Sequence, residues 1–188
     1  MARKTKEMDD NMDDSTRKRT GPATGTYEQG KAMLGQRSPV NFGTHPVSEV
    51  RIAQFCTVIE DGNLSYWNAA ASARLWGRPV APPAMLQSWT LPLPWLPDRE
   101  VGPDFMLMKL PLPGSSIINV STETVYHRPV YIGETLNFWD VATELSEQKE
   151  TRLGIGHFVT TVATYQSEAG ETVATCTNVQ FRFEPRSA

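Results

Sequence analysis

The sequence predicts an α+β domain in which an antiparallel sheet wraps around a helix. Two observations carry this. The first half of the chain holds two amphipathic or small-residue helical stretches and one short apolar one, whereas from Ser115 the texture turns strand-like, with four long β-rich segments. The links between those segments are short, and short links join antiparallel strands.

Residues 1–38 are polar and mixed in charge, with no apolar periodicity, and are expected to be a flexible tail in which Tyr27–Leu34 can dock locally. The folded domain is expected to span 39–188. Pro39-Val-Asn-Phe42 suggests a short strand. Ser48 and Glu49 mark a helix start, since serine caps and a carboxylate suits the positive end of the dipole. Ile52, Phe55, Cys56 and Ile59 follow at helical spacing, which predicts one buried face with Cys56 as a small core residue. Asp61-Gly62 ends this helix. Ser65 is expected to cap the next, which runs through the alanines to Gly77. Prolines 79, 82 and 83 then stiffen the connection, and Ala84–Leu91 suggests a buried helix.

Residues 92–113 form an apolar, proline-broken insertion that suits neither a helix interior nor a central strand. Two readings stand side by side: a wall over an apolar ligand or a subunit contact, and a loop folded onto its own core. The predicted strands are Ile117–Tyr126, Thr135–Leu145, Gly156–Gln166 and Glu171–Phe183. The last alternates cleanly through Val173, Thr175, Thr177, Val179, Phe181 and Phe183. Glu168-Ala-Gly170 supplies the hairpin turn before it.

Composition narrows the function. The net charge is -3 and no basic stripe carries interleaved aromatics, so nucleic acid is not an expected partner. Cys56 and Cys176 are the only cysteines and lie far apart, which argues against a disulfide framework or a zinc site. No apolar run approaches the ~20 residues of a membrane span and no signal peptide is recognised, so a cytoplasmic location is expected. No phosphate loop, dinucleotide fingerprint or nucleophile elbow is present, and no metal or cofactor is expected. His45, His127 and His157 are dispersed and suit surface or strand-end roles. His127-Arg128 stands out because it sits at a strand end beside Pro129. Arg128 could meet a ligand phosphate, although a structural ion pair suits it better.

Several motifs in order resemble the MaoC-like hot dog fold, in its FAS1-like dehydratase N-terminal subgroup. They are Asp61-Gly62-Asn63 after an amphipathic helix, Tyr66, Val80-Ala81-Pro82-Pro83-Ala84-Met85, Arg128-Pro129-Val130 followed by Gly133-Glu134-Thr135-Leu136, and Gly170-Glu171. The resemblance covers about residues 39–183. It implies a long helix in the concave sheet, protomers paired side by side, and an acyl-CoA thioester bound at their interface. The implied chemistry is hydration of a trans-2-enoyl-CoA or the reverse dehydration.

Active members carry D-x-N-P-x-H, whose aspartate and histidine manage water and its proton. Asp61 and Asn63 stand at matching positions, Leu64 replaces the proline and Tyr66 the histidine. A tyrosine, with a pKa near 10, is a poor base at neutral pH. Active members next carry His-Gly, whose glycine N–H stabilises the oxyanion, and here Pro82-Pro83 stand instead. Pro83 has no N–H to give, and losing one such donor costs ~100-fold or more.

The resemblance therefore implies the non-catalytic half of a double or heteromeric hot dog, with Asp61, Asn63 and Tyr66 as a degenerate catalytic set. Pro82, Pro83, Met85, Trp95 and Arg128 would be substrate contacts. The insertion at 92–113 would widen the pocket for a bulky acyl chain of polycyclic or steroid type. Two other readings stay open: a self-sufficient hydratase using Asp61 and Tyr66, and a non-enzymatic acyl-thioester binding protein.

Overall fold

The computed structural model describes residues 21–93 and 104–186. Four long antiparallel strands form the sheet: β2 (Ser116–Tyr126), β3 (Leu136–Leu145), β5 (Gly154–Ser167) and β6 (Thr172–Pro185). Two short strands complete it, β1 (Asn41–Phe42) beside β3 and β4 (Lys149–Glu150) on β5. The strand order is β1-β3-β5-β6-β2, which leaves β2 as a long edge. Thus the expected architecture is present: an antiparallel sheet curled around helical elements, the hot dog arrangement.

Strand register decides which side chains face the core, because directly paired residues share a face. Phe138, Tyr165, Ala174 and Tyr126 form one row across the sheet, and Asp140, Ala163, Cys176 and Thr124 the next. Against these rows pack Ile52 and Cys56 of α2 (Glu49–Val58) and Met85, Leu86 and Trp89 of a 3-10 helix (Pro83–Trp89). Each large apolar side chain buried in this way contributes about 1.5–3 kcal/mol. The alternating Thr175–Phe183 set of β6 lies on the opposite face, where Phe181 stacks on Phe183 with centroids 5.0 Å apart. Gly156 lets β5 approach β6 closely, since a Cβ there would stand 2.0 Å from the Arg182 carbonyl oxygen.

Several local expectations change. The helix α2 ends at Val58 and Ile59 leaves helical geometry, so Ile59 is half exposed and does not join the buried stripe. The small-residue helix is two, α3 (Leu64–Trp67) and α4 (Ala69–Trp76), broken at the extended Asn68. Their caps are asparagines: Asn63 Oδ1 accepts from Ser65 N at 3.0 Å and Asn68 Oδ1 from Ala71 N at 2.9 Å. Ser65 is buried and is not a cap; its hydroxyl accepts from Trp76 Nε1. Gly77 closes α4 at φ 80°, as its sequence position suggests. The apolar stretch after Pro82 is a 3-10 helix of seven residues, and among the described residues no long helix fills the concave face.

The tail boundary also moves. Residues 1–20 lie outside the described residues, but 21–38 are packed on the sheet. They carry α1 (Tyr27–Lys31), closed by a capping box between Thr26 and Gln29. Thr24 bridges Leu112 and Arg37 bridges Val141. Within the insertion, Trp95 and the rest of 94–103 lie outside the described residues, while α5 (Met106–Lys109) folds onto a second core. There Met106, Leu110 and Leu112 bury against Ala142, Val159, Met33 and Leu34. Composition hid this because the polar N-terminal segment contributes only Met33 and Leu34, which find their partners in the distant apolar insertion.

Candidate functional site

The loop after α2 is built by its own polar side chains. Asp61 Oδ1 accepts from Asn63 N at 2.9 Å, and the Asp61 carbonyl accepts from Trp67 Nε1 at 2.6 Å. Asn63 in turn caps α3, which sets Tyr66 toward the sheet. Ser72 Oγ accepts from Val80 N at 3.1 Å and so fixes α4 against the proline connection. Ala81 N then donates to Val130 O at 2.8 Å, which delivers Pro82 and Pro83 to the end of the sheet. Tyr126, the last residue of β2, donates its hydroxyl to the Pro83 carbonyl at 2.7 Å.

These elements enclose a cavity of about 290 Å³, walled by Tyr66, Trp76, Pro83, Tyr126, His127 and Arg128. Burial, with the nearby Asp61 charge second, pushes the Tyr66 phenol above its usual range, so it stays protonated at neutral pH. Burial likewise raises Tyr126. Arg128 is held by two carboxylates, with Nη1 3.0 Å from Glu134 Oε2 and Nε 2.9 Å from Glu171 Oε2. Burial alone would lower its pKa, but these partners outweigh it and the net shift is upward. Its charge is thereby committed within the chain. The His127 backbone N–H donates to Val173 O at 2.9 Å, and the residue borders the cavity.

Of the residues singled out in the sequence, Tyr66, Pro83 and Arg128 meet at this cavity. Asp61 and Asn63 stand beside it, with their side chains spent on the loop. Met85 is not at the cavity: it is buried in the core between the 3-10 helix and the sheet, as the inward turn of that helix dictates. Pro82 is buried at the helix start. Two wall residues, Trp76 and Tyr126, carry no motif. Only the contiguous run Tyr126-His127-Arg128 at a strand end hinted at the second. Among the described residues no cluster of three or more histidine, cysteine or acidic side chains is arranged to hold a metal.

The FAS1-like dehydratase domain region matches residues 32–176 of the sequence. The chain belongs to this family. A curated relative, the probable enoyl-CoA hydratase alpha subunit of Thermomonospora curvata, is 32% identical over 151 residues. That match covers 77% of this chain and 47% of the relative, so the chain spans about half of the relative's length. Among solved structures, a chain of the ChsH1–ChsH2 complex of Mycobacterium tuberculosis superposes with a TM-score of 0.70 at 24% identity, covering 86% of this chain and 92% of that one. The (R)-hydratase of A. caviae involved in PHA biosynthesis gives 0.53 at 18% identity, covering 81% and 96%. At these identities the two structures establish the shared fold. The MaoC-like hot dog assignment made from the motifs is therefore correct.

Proposed function

We propose that this chain is the non-catalytic half of an enoyl-CoA hydratase or 3-hydroxyacyl-CoA dehydratase. It shapes the acyl pocket while a second hot dog subunit supplies the aspartate and histidine. The observation that carries this is the composition of the cavity wall. Hydration of a trans-2-enoyl thioester needs a base for water, an acid at the α-carbon and donors for the oxyanion. Around this cavity Tyr66 is held neutral, Arg128 is paired, and Pro83 has no N–H. The Asp61 carboxylate is turned into its own loop.

Further support comes from assembly. Among the described residues no strand pairs with the outer edge of β2, and Ile118, Val120 and Val125 are exposed along it. Such an edge is a template for a second sheet. The curated relative is named as an alpha subunit, and the ChsH1–ChsH2 neighbour is a complex. The short 3-10 helix in the concave face leaves room for a bulky acyl chain.

The test is hydration of trans-2-decenoyl-CoA by the chain alone and by the chain co-expressed with a hot dog subunit bearing D-x-N-P-x-H. Activity is expected only in the complex, and Tyr66→Phe is expected to leave it within about tenfold. Full activity from the isolated chain would overturn the reading. His127 is the one histidine among the residues bordering the cavity, so His127→Ala is the control for a self-sufficient site.

A further inference from the structure

The concave face encloses a second cavity beyond the 3-10 helix, of about 390 Å³. That volume falls within the range of small-molecule sites, about 300–1,000 Å³. Its floor follows from the register. Asn119 pairs with Gln180, and Thr122 and Thr161 both pair with Asn178, so these five side chains share the concave face. All five line the cavity. A sheet face covered by the core is expected to be apolar, as this one is around Phe138 and Ala174.

Three of the five polar groups satisfy one another. Asn119 Nδ2 donates to Thr122 Oγ1 at 2.9 Å, and Thr122 Oγ1 donates to Asn178 Oδ1 at 2.8 Å. Gln180 is different: its Oε1 is buried and receives no hydrogen bond among the described residues. Leu91, Phe105 and Leu107 supply an apolar wall beside Gln87 and Thr90. Among the described residues no lysine, arginine or histidine lines the cavity and Asp140 is the one charged residue; both its carboxylate oxygens accept from Met106 N at 3.1 Å.

We infer that this cavity binds a neutral, apolar ring or chain bearing a hydroxyl group, which donates its hydrogen to Gln180 Oε1. A buried carbonyl without a donor is costly to keep, and a ligand hydroxyl removes that cost. The apolar wall accepts the hydrocarbon frame. The Asp140 carboxylate lines the same cavity and disfavours a ligand carboxylate there, since Lys109, the cation that acts on it, is itself paired with Asp104. The inference deepens the thioester reading and rests on it for the route of entry. Tyr126 at the first cavity and Thr122 at the second lie four residues apart on one face of β2, roughly 13 Å. The Thr124–Cys176 pair stands between them, with Gln87 Nε2 reaching Cys176 Sγ at 3.5 Å. A thioester held beside Tyr126 would therefore place the far end of a bulky acyl group over Gln180.

The test titrates the ¹⁵N-labelled full chain with 2-decalol and, separately, with decalin. The alcohol is expected to bind about fivefold more tightly, the worth of one net hydrogen bond, and to shift the Gln180 side-chain amide signals. Gln180→Leu is expected to abolish the preference while retaining decalin binding, and Gln180→Met, matched in length, provides the same comparison in a second background. Equal affinities in the wild-type chain, no binding of 2-decalol, or a preference unchanged in both variants would overturn the proposal. Hydration of trans-2-decenoyl-CoA by the complex reads the thioester reading separately. A hydroxyl preference with an inactive complex removes only that reading, and an active complex without the preference removes only this one.

Discussion

Tyr126 donates its hydroxyl to the carbonyl of Pro83 at 2.7 Å, joining residues 43 positions apart. The bond ties the end of the open edge strand to the start of the 3-10 helix and closes one side of the first cavity. Burial raises the Tyr126 pKa, so the donor keeps its proton across the neutral range. Tyr126→Phe should lower stability by about 1 kcal/mol, a fall in Tm of about 2–4 °C for a chain of this size. Thermal unfolding followed by circular dichroism checks this, and an unchanged Tm would show that the bond adds nothing.

Arg182 makes a second prediction. Its guanidinium is fully buried and donates to four carbonyls, those of Ala23, Leu110, Leu112 and Gly114, at 2.6–3.1 Å. Burial lowers its pKa. This one side chain fastens the N-terminal segment and the segment after α5 to β6. Arg182→Leu removes a donor from four carbonyls, of which, among the described residues, only that of Ala23 keeps another, Leu112 N at 3.4 Å, and should cost about 3 kcal/mol or more. Urea unfolding measures the loss, and limited proteolysis should show faster cleavage near Ala23.

Asp140 predicts a pH dependence. Burial raises its carboxyl above the ordinary 3.8, against the lowering effects of Ser38 and of the Met106 N–H. A carboxyl whose folded pKa is raised contributes stability that is full below the unfolded pKa and is lost as pH rises through the folded one. The stability of wild type relative to Asp140→Asn should therefore be greater at pH 4 than at pH 7. Paired denaturation curves at the two pH values decide it, and a difference of the opposite sign would refute the burial effect.

The open edge of β2 predicts the mode of assembly. Ile118 and Val120 are exposed on it, and a lysine there blunts strand pairing. The double variant Ile118→Lys, Val120→Lys should fold with a Tm near that of wild type but lose its association with a second hot dog subunit. Native mass spectrometry of the co-expressed pair reads this directly. An intact complex would place the partner on another surface.

The sequence by itself determined the four long strands to within two residues at each end, because β-branched alternation and the turns at Gly133 and Gly170 are local signals. It also determined that Pro82 and Pro83 offer no backbone N–H, since that is a property of the residue. Only the tertiary structure decided which face of β6 meets the core: a period of two identifies two faces and ranks neither. The alternating set from Thr175 to Phe183 lies on the opposite face, where Phe181 and Phe183 are nonetheless buried, and Ala174, Cys176, Asn178 and Gln180 line the concave side. It also decided that Asp61 turns into its own loop, that Met85 enters the core, and that residues 21–38 join the domain. Each of these depends on partners far away in the chain. Arg182 is the plainest case, polar in sequence and fully buried once four distant carbonyls converge on it.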